Sequence, residues 1–437
     1  MYRTALSLLL LLSTAVPAAA QRPDSVPTGN LTLLDAIQRG RSQGGNAAVA
    51  RLNLRAAEAR TGTARAALLP DINGVASVTR QRLNLDEFGI PVASGVTDPF
   101  DIWSLQLQAR QTVFDASAIS RLRAARDTAV AAGYDARAVG ELAGATAGLA
   151  YLRVLSADET VRARQADSTI AGALLEQARR LVQAGVSPAI DQTRSEVSFT
   201  AVRTQLAVAR LATDRTRLDL LRALDLPSGT RVTLADSLTL AELDLPSDPA
   251  AAAAYAREHR PELAAERART QAARRSLSAI RQENLPNLGL SGVYRYTGQH
   301  TSDLAGTYNV QLLLTVPILD GFSRQTRARE EAARVEIQEI RERDLGNQVE
   351  TEARQAMLDL ASAREQVAIA GEQLRLAEQE LAQAQERFEA GVAGSVETTN
   401  AQGSVASARD ALIQARVSYG SARVSAYRAL GAIDQLK

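Results

Sequence analysis

The chain has 437 residues, with 50 basic and 49 acidic side chains, no cysteine and an aromatic content of only 4%. The balanced charge gives no electrostatic reason to expect nucleic-acid binding, and the lack of cysteine excludes disulfides, thiolate metal sites and cysteine nucleophiles. So few aromatic residues would fill a compact core of this size poorly, whereas the composition suits a fold built from helix–helix seams.

The N-terminus predicts a secretory signal peptide over residues 1–20. Arg3 supplies the positive charge, Ala5 to Leu12 form the apolar core, and three alanines precede Gln21 in the pattern of a cleavage site. The apolar core is too short to span a bilayer. We therefore expect a mature chain that begins near Gln21 and lies beyond the inner membrane of a Gram-negative-type bacterium. No later stretch has about 18 uncharged apolar residues, so any membrane crossing is expected to use strands.

The first repeat, residues 21–224, begins with a helix and two strands. Good helix formers run from Thr32 to Leu69 without a proline, and Pro70 ends the pattern. A strand is predicted from Ile72 to Arg80, and a clearer one from Trp103 to Arg110, where apolar and polar residues alternate. The stretch between them is rich in glycine and proline and is predicted to be a loop.

A very long helix, a tight break and a return helix complete this repeat. Helix formers resume after Phe114-Asp115 and continue to about Val182, which corresponds to roughly 100 Å of helix at about 1.5 Å per residue. The break lies around Gly185, and the return helix runs from there to Leu224. Residues 225–250 contain three prolines and a glycine, and we interpret them as an equatorial linker with a turn or short strand.

Residues 251–431 repeat this order, and residues 432–437 form a short tail. Leu285-Pro286 ends the first helical pattern as Leu69-Pro70 does, and two alternating strands follow. Gly391 stands opposite Gly185, and the same offset aligns the residues of the two return helices. The chain is therefore a tandem duplication.

Each long helix is predicted to pack along its return helix as a coiled coil. In the second repeat a stripe spaced alternately by three and four residues runs from Leu360 to Phe388, with alanine at every second position. The stripe of the first repeat is weaker, because Arg164 and Ser168 interrupt it. The two hairpins are therefore expected to face different surroundings.

The four strands are long enough to cross an outer membrane, where only a closed barrel satisfies every backbone group. The four strands of one chain cannot close a barrel. Eight strands from two chains would give a barrel filled by its own side chains, whereas twelve strands from three chains would leave an open lumen. We therefore predict a homotrimer with a shared barrel in outer membrane lipid. Aromatic residues in or beside the strands match an interfacial belt, namely Phe100, Trp103, Tyr294, Tyr296 and Tyr308. A soluble amphipathic sheet with aromatic edges is the alternative.

This order of elements, present twice, resembles the TolC-like outer membrane efflux protein family. The likeness is most specific at the two tips and at the strand-to-helix junctions Val113-Phe114-Asp115 and Pro317-Ile318-Leu319-Asp320-Gly321. It implies a mainly α fold with a membrane β-barrel portion: a trimeric twelve-stranded barrel that continues into a twelve-helix periplasmic tunnel. The function implied is that of the passive exit duct of a tripartite efflux or type I secretion system. Its partners would be a periplasmic adaptor (membrane fusion) protein and an inner-membrane transporter of the RND, ABC or MFS type.

The same resemblance places adaptor contacts at the two tips. They fall on Arg180, Leu181, Gly185 and Val186 in the first tip and on Arg387, Phe388, Gly391 and Val392 in the second. The alternative is that the motif only makes a turn, since a tight helix reversal favours a residue that tolerates positive φ.

Just past the second tip, the family often carries two acids that ring the periplasmic aperture. Here the segment is Glu397-Thr398-Thr399-Asn400, and the first copy begins with Asp191. The resemblance therefore assigns Asp191, Glu397 and Asn400 to the aperture, where threefold symmetry would repeat Glu397 as a cation-attracting ring. A solvated glutamate that is favoured at the start of a helix is the alternative.

The residues predict neither an enzyme nor a cofactor or metal site. His259 and His300 have no partner at ligand spacing, and both the phosphate-binding glycine loop and the Gly-x-Ser-x-Gly elbow are absent from the sequence. Acidic residues stand beside arginines on helix faces, a pattern typical of solvated pairing. The alternative function is a soluble periplasmic coiled-coil adaptor or scaffold, which would need a further domain between its helices.

Overall fold

The computed structural model describes residues 30–85, 95–237, 248–390, 392 and 394–436. The predicted signal peptide and Gly391 lie outside the described residues, as do residues 238–247 of the predicted linker. None of the helices in the described ranges combines the length and the apolar character that a membrane crossing requires.

The first half follows the predicted order with one additional break. Its elements are β1 (Asn30–Leu31), α1 (Leu33–Gln43), α2 (Gly45–Ala66), β2 (Asp71–Gln81), β3 (Phe100–Phe114), α3 (Ala116–Gln183) and α4 (Ala189–Ala223). The single helix predicted from Thr32 to Leu69 is thus two helices. The chain leaves the helical region at Gly44, where ψ is 140°. Gly44 is followed by Gly45, and the low helix propensity of two consecutive glycines favours a break here.

The second half repeats the arrangement, including the break. Its elements are β4 (Thr233–Leu234), α5 (Pro249–His259), α6 (Pro261–Gln282), β5 (Asn287–Gly298), β6 (Ala305–Thr315), α7 (Ser323–Glu389) and α8 (Ser395–Ala429), followed by a 3₁₀ turn at Ile433–Gln435. The helix predicted from Ala251 to Asn284 breaks at Arg260, because Pro261 disfavours the helical region for the residue before it. In the register that matches Leu69 with Leu285, Gly44 falls on Arg260, so the duplication extends to this break.

The four long strands form one antiparallel sheet in the order β2-β3-β5-β6. The β3–β5 pairing at its centre joins the two halves, so β2 and β6 are the edges of the sheet in a single chain. Large apolar side chains on the sheet are exposed, with Leu105 54% and Leu312 63% exposed. Among the described residues, the sheet therefore has neither a covering layer nor a partner strand at its edges. The predicted mainly α fold with four long strands is confirmed.

The helices form two hairpins, α3 with α4 and α7 with α8, and α3 also packs against α6 and α8. The predicted seam of the second hairpin is confirmed, since Leu360, Val367, Leu381 and Val405 are all buried. The largest core lies at the waist of the molecule, where α1, α3, α5, α7 and α8 meet. Tyr151 is fully buried there, and its hydroxyl donates to the carbonyl of Leu31 at 3.0 Å.

Candidate functional sites at the hairpin tips, the waist and the sheet

The first hairpin reverses through a Schellman motif. Gly185 has φ +73°, and its N–H donates to the carbonyl of Val182 at 3.0 Å. The N–H of Val186 donates to the carbonyl of Leu181 at 3.0 Å. This pair of bonds satisfies the last carbonyls of α3 and requires a left-handed residue, which glycine supplies without a steric penalty. The turn leaves the Val186 side chain 62% exposed at the extreme end of the hairpin, and Arg180 is also exposed.

The second tip makes the corresponding bond, from the N–H of Val392 to the carbonyl of Arg387 at 3.1 Å. In this register Arg387 takes the place of Leu181, so Arg387 and Arg180 are not equivalent residues. The Val392 side chain is 70% exposed, as its counterpart Val186 is. The two valines thus form the matched outward-facing pair of the tips.

Phe388 is a buried residue of the second tip. Its side chain is 2% exposed and is packed inside the second hairpin, where it ends the predicted seam. The ring therefore supports the tip from within, and the expected contact between Phe388 and an adaptor remains a prediction. The stripe that predicted the seam already included this residue, and its burial follows from that position.

Asp191 is also buried, and it joins the two return helices. It is 5% exposed, and its Oδ1 accepts a hydrogen bond from Ser395 Oγ at 2.5 Å. Arg194 Nη1 lies 3.8 Å from the same oxygen. The carboxylate sits in the first turn of α4 and beside the first residue of α8, so the N-terminal ends of both helices favour its charge. The placement of Asp191 at the aperture, which depends on how three chains meet, remains a prediction.

Glu397 and Asn400, the other two aperture residues, are on the surface. Glu397 forms an ion pair with Arg387 Nε at 3.1 Å, and both side chains are about half exposed. Such a surface pair contributes only about 0–1 kcal/mol, but it offsets the negative charge of the glutamate. Asn400 borders an apolar groove between α4 and α8 that is also lined by Val197 and Val396.

A buried ion network connects the two hairpins farther from the tips. Asp167, which is 2% exposed, accepts hydrogen bonds from Arg409 Nη1 at 2.8 Å and from Arg164 Nη1 at 3.1 Å. Arg164 also pairs with Asp410 of α8. Burial acts to lower the pKa of Arg164, but the two aspartates outweigh it and raise that pKa. Arg164 is the residue that interrupts the apolar stripe of the first hairpin, and this interruption was the available sequence signal for the network.

The waist contains a second ionic cluster that the sequence did not reveal. Arg260, at the break between α5 and α6, is 4% exposed and donates to Glu352 at 2.9 Å and to Glu262 at 3.0 Å. Nearby Glu141 of α3 is also buried. Burial, together with the charge of Glu262, raises the pKa of Glu141 to about 7, although Arg41 and Arg260 act in the opposite direction.

The strand-to-helix junctions are held by carboxylates. Asp115 caps α3 by accepting from the N–H of Ala118 at 3.0 Å, and Asp320 accepts from the N–H of Arg324 at 3.0 Å. Glu283 links the two halves, since its carboxylate accepts from Arg121 of α3 at 2.9 Å and from Arg327 of α7 at 2.6 Å. Burial acts to raise the pKa of Glu283, but the two guanidinium groups outweigh it and lower that pKa.

The strand pairings place four of the five predicted belt residues on one face of the sheet. Trp103, Tyr294, Tyr296 and Tyr308 all share the face of Leu105 and Leu107. Phe100 differs, because it stands an odd number of positions from Trp103 and therefore lies on the opposite face. Phe100 is therefore corrected as a member of the belt, while the other four side chains are compatible with it.

Comparison with known proteins agrees with this architecture. The family model described as "Outer membrane efflux protein" matches residues 41–225 and 253–432, one segment in each half. The protein CyaE of Bordetella pertussis is 28% identical over 264 residues, which is 60% of this chain and 56% of that protein. The match thus spans little more than half the length of that relative.

Solved structures with a similar fold cover nearly the whole chain. The CmeC outer membrane channel of Campylobacter jejuni superposes with a TM-score of 0.80 at 16% identity, over 92% of this chain and 86% of that one. The open state of the MtrE outer membrane channel of Neisseria gonorrhoeae gives 0.77 at 18% identity, over 92% and 89% of the two chains. At these identities the likeness shows the fold.

The tip geometry predicts that Ser395→Ala loosens the contact between the two return helices. The change removes the hydroxyl that donates to buried Asp191, and a buried acceptor left without its donor costs about 1–3 kcal/mol. Hydrogen–deuterium exchange should therefore become faster in the first turns of α4 and α8. Ser404→Ala, on an exposed position of α8, is the matched control and should leave exchange at the tip unchanged. Equal exchange in Ser395→Ala and the native protein would contradict this role.

Proposed function

This chain belongs to the outer membrane efflux protein family, and from that premise we propose that three copies form the exit duct of an efflux or type I secretion system. The protein has the TolC-like fold, duplicated in tandem, with four long strands and two long helical hairpins in each chain. It lies in the outer membrane and extends into the periplasm.

The observation that carries the proposal is the sheet with two open edges and an exposed apolar face. In lipid, an unpaired strand edge costs several kcal/mol for each backbone group without a partner. Pairing β6 of one chain with β2 of the next removes both edges when three chains close a ring of twelve strands. Strands about 4.8 Å apart and tilted by about 40° then enclose a barrel of about 12 Å radius, which leaves room for a lumen.

The helices extend this lumen into the periplasm. α3 has 68 residues and α7 has 67, so each of these two helices is roughly 100 Å long. α4 and α8 have 35 residues each and run along about half of that length. Towards the tips, α3, α4, α7 and α8 of three chains would make a wall of twelve helices around a continuous passage. A soluble adaptor or scaffold, the alternative function, gives no reason for a sheet whose apolar face is left uncovered.

The duct is proposed to be passive and to catalyse no reaction. Among the described residues, no group of three or more His, Cys, Asp or Glu side chains could hold a metal ion. The energy for transport then comes from an inner-membrane transporter of the RND, ABC or MFS type, through a periplasmic adaptor that binds the tips. Of the expected tip contacts, the exposed residues Arg180, Val186 and Val392 are the ones that we propose to test first.

The duct is tested by the mass and the conductance of the purified full-length protein. In mild detergent, native mass spectrometry should show three copies of the chain. In a planar lipid bilayer the same sample should give discrete conductance steps, because each inserted trimer adds one lumen. A sample that stays monomeric and gives no conductance would contradict the proposal.

The adaptor contact is tested by single cysteines, because the chain has none of its own. We expect Val186→Cys and Val392→Cys, both with a photoactivatable crosslinker attached to the thiol, to crosslink to a periplasmic protein with a coiled-coil hairpin in intact cells. Val96→Cys is the matched control: Val96 is 59% exposed, and it lies at the opposite end of the molecule, between β2 and β3. Equal crosslinking from all three positions would exclude specific docking at the tips.

A further inference from the structure

We propose that this duct prefers anions to cations and that Arg295 of β5 sets the preference at the membrane end of the passage. The inference rests on the proposed function, because it takes the polar face of the sheet to be the wall of the lumen.

The polar face is defined by the strand register. Gln106 of β3 stands opposite Val75 of β2 and Arg295 of β5, and Arg295 stands opposite Thr307 of β6. Residues directly opposite in an antiparallel sheet share a face, and neighbours along a strand alternate between faces. This row therefore lies on the face opposite to Trp103 and Leu105. Since the apolar face meets lipid, the row of Arg295 meets the lumen.

Arg295 is the one charge on this face without an opposite charge across from it. Within β2, β3, β5 and β6, the polar face carries three charged residues, namely Asp71, Arg110 and Arg295. Asp71 and Arg110 stand directly opposite each other, so their charges cancel within one row. The Nε of Arg295 donates to Gln106 Oε1 at 3.1 Å. This neutral partner positions the guanidinium group and leaves its charge intact.

Threefold symmetry turns this single charge into a ring. Three copies place three Arg295 side chains at the same height on the wall of a barrel of about 12 Å radius. At 0.1 M salt the screening length is about 10 Å, so the potential of the ring extends over most of the lumen. At 1 M it falls to about 3 Å, and the effect is confined to the wall. Rings of arginine favour anions in other pores.

The two acids expected at the aperture, Glu397 and Asp191, are both offset by neighbouring groups. Glu397, the acid expected there, is paired with Arg387 at 3.1 Å, and Asp191 is buried between the two return helices. At the aperture an ion therefore meets a Glu397 carboxylate that is paired with arginine, whereas at the membrane end it meets an uncompensated guanidinium. The cargo favoured by this arrangement is anionic.

The test is the reversal potential of single channels in a gradient of potassium chloride, with concentrations near 0.1 M. The native protein should be more permeable to chloride than to potassium. Arg295→Gln should lower the chloride-to-potassium permeability ratio severalfold, whereas Arg295→Lys should keep it. Asp71→Asn, which leaves Arg110 uncompensated, should raise the ratio. All of these differences should shrink at 1 M salt.

Arg80→Gln is the matched control, since Arg80 lies on the apolar face and pairs there with Asp101 at 3.9 Å. A native channel selective for potassium, or equal ratios in Arg295→Gln and Arg80→Gln, would overturn the inference and leave the duct itself intact. If Arg295→Gln forms no channel, Asp71→Asn provides the test: the inference requires this variant to raise the chloride-to-potassium permeability ratio, and an unchanged or lower ratio would overturn it. Absence of conductance in the native protein would instead contradict the proposed function.

Discussion

The backbone edges of β2 and β6 are the constraint on which this structure depends. A sheet of four strands leaves one row of N–H and C=O groups open on each side, and lipid offers these groups no hydrogen-bonding partner. The same sheet has an apolar face that no described part of the chain covers. Both features are liabilities in a soluble monomer, and both become necessary if identical chains complete the sheet within a membrane. The proposed duct, its symmetry and its selectivity all follow from that completion.

The duplicated sequence builds the rest of the molecule around this sheet, but its two copies have diverged. The second hairpin keeps an apolar seam, whereas the first exchanges part of its seam for Arg164. That arginine binds carboxylates of α3 and α8 and so holds one hairpin against the other. Removing one partner of such a buried network costs more than a surface pair contributes, because a charge is left without compensation. The divergence therefore links the two hairpins to each other at the level of Arg164.

Sequence periodicity predicted the strands, the long helices and both tips, because each of these is encoded by local spacing and by residues such as Gly185. It missed the breaks at Gly44 and Arg260, where helix formers continue on both sides and only one or two residues interrupt them. The roles of single tip residues were harder to predict. Asp191 is buried by Ser395, which is remote in sequence, and no local pattern indicates such a partner.

The most direct test of the account is a cryo-electron microscopy reconstruction of the full-length protein in lipid nanodiscs, at a resolution that separates strands. The account predicts threefold symmetry, with β6 of each chain hydrogen-bonded to β2 of its neighbour in a closed ring. A single chain with two open sheet edges, or a ring closed by two chains, would contradict it.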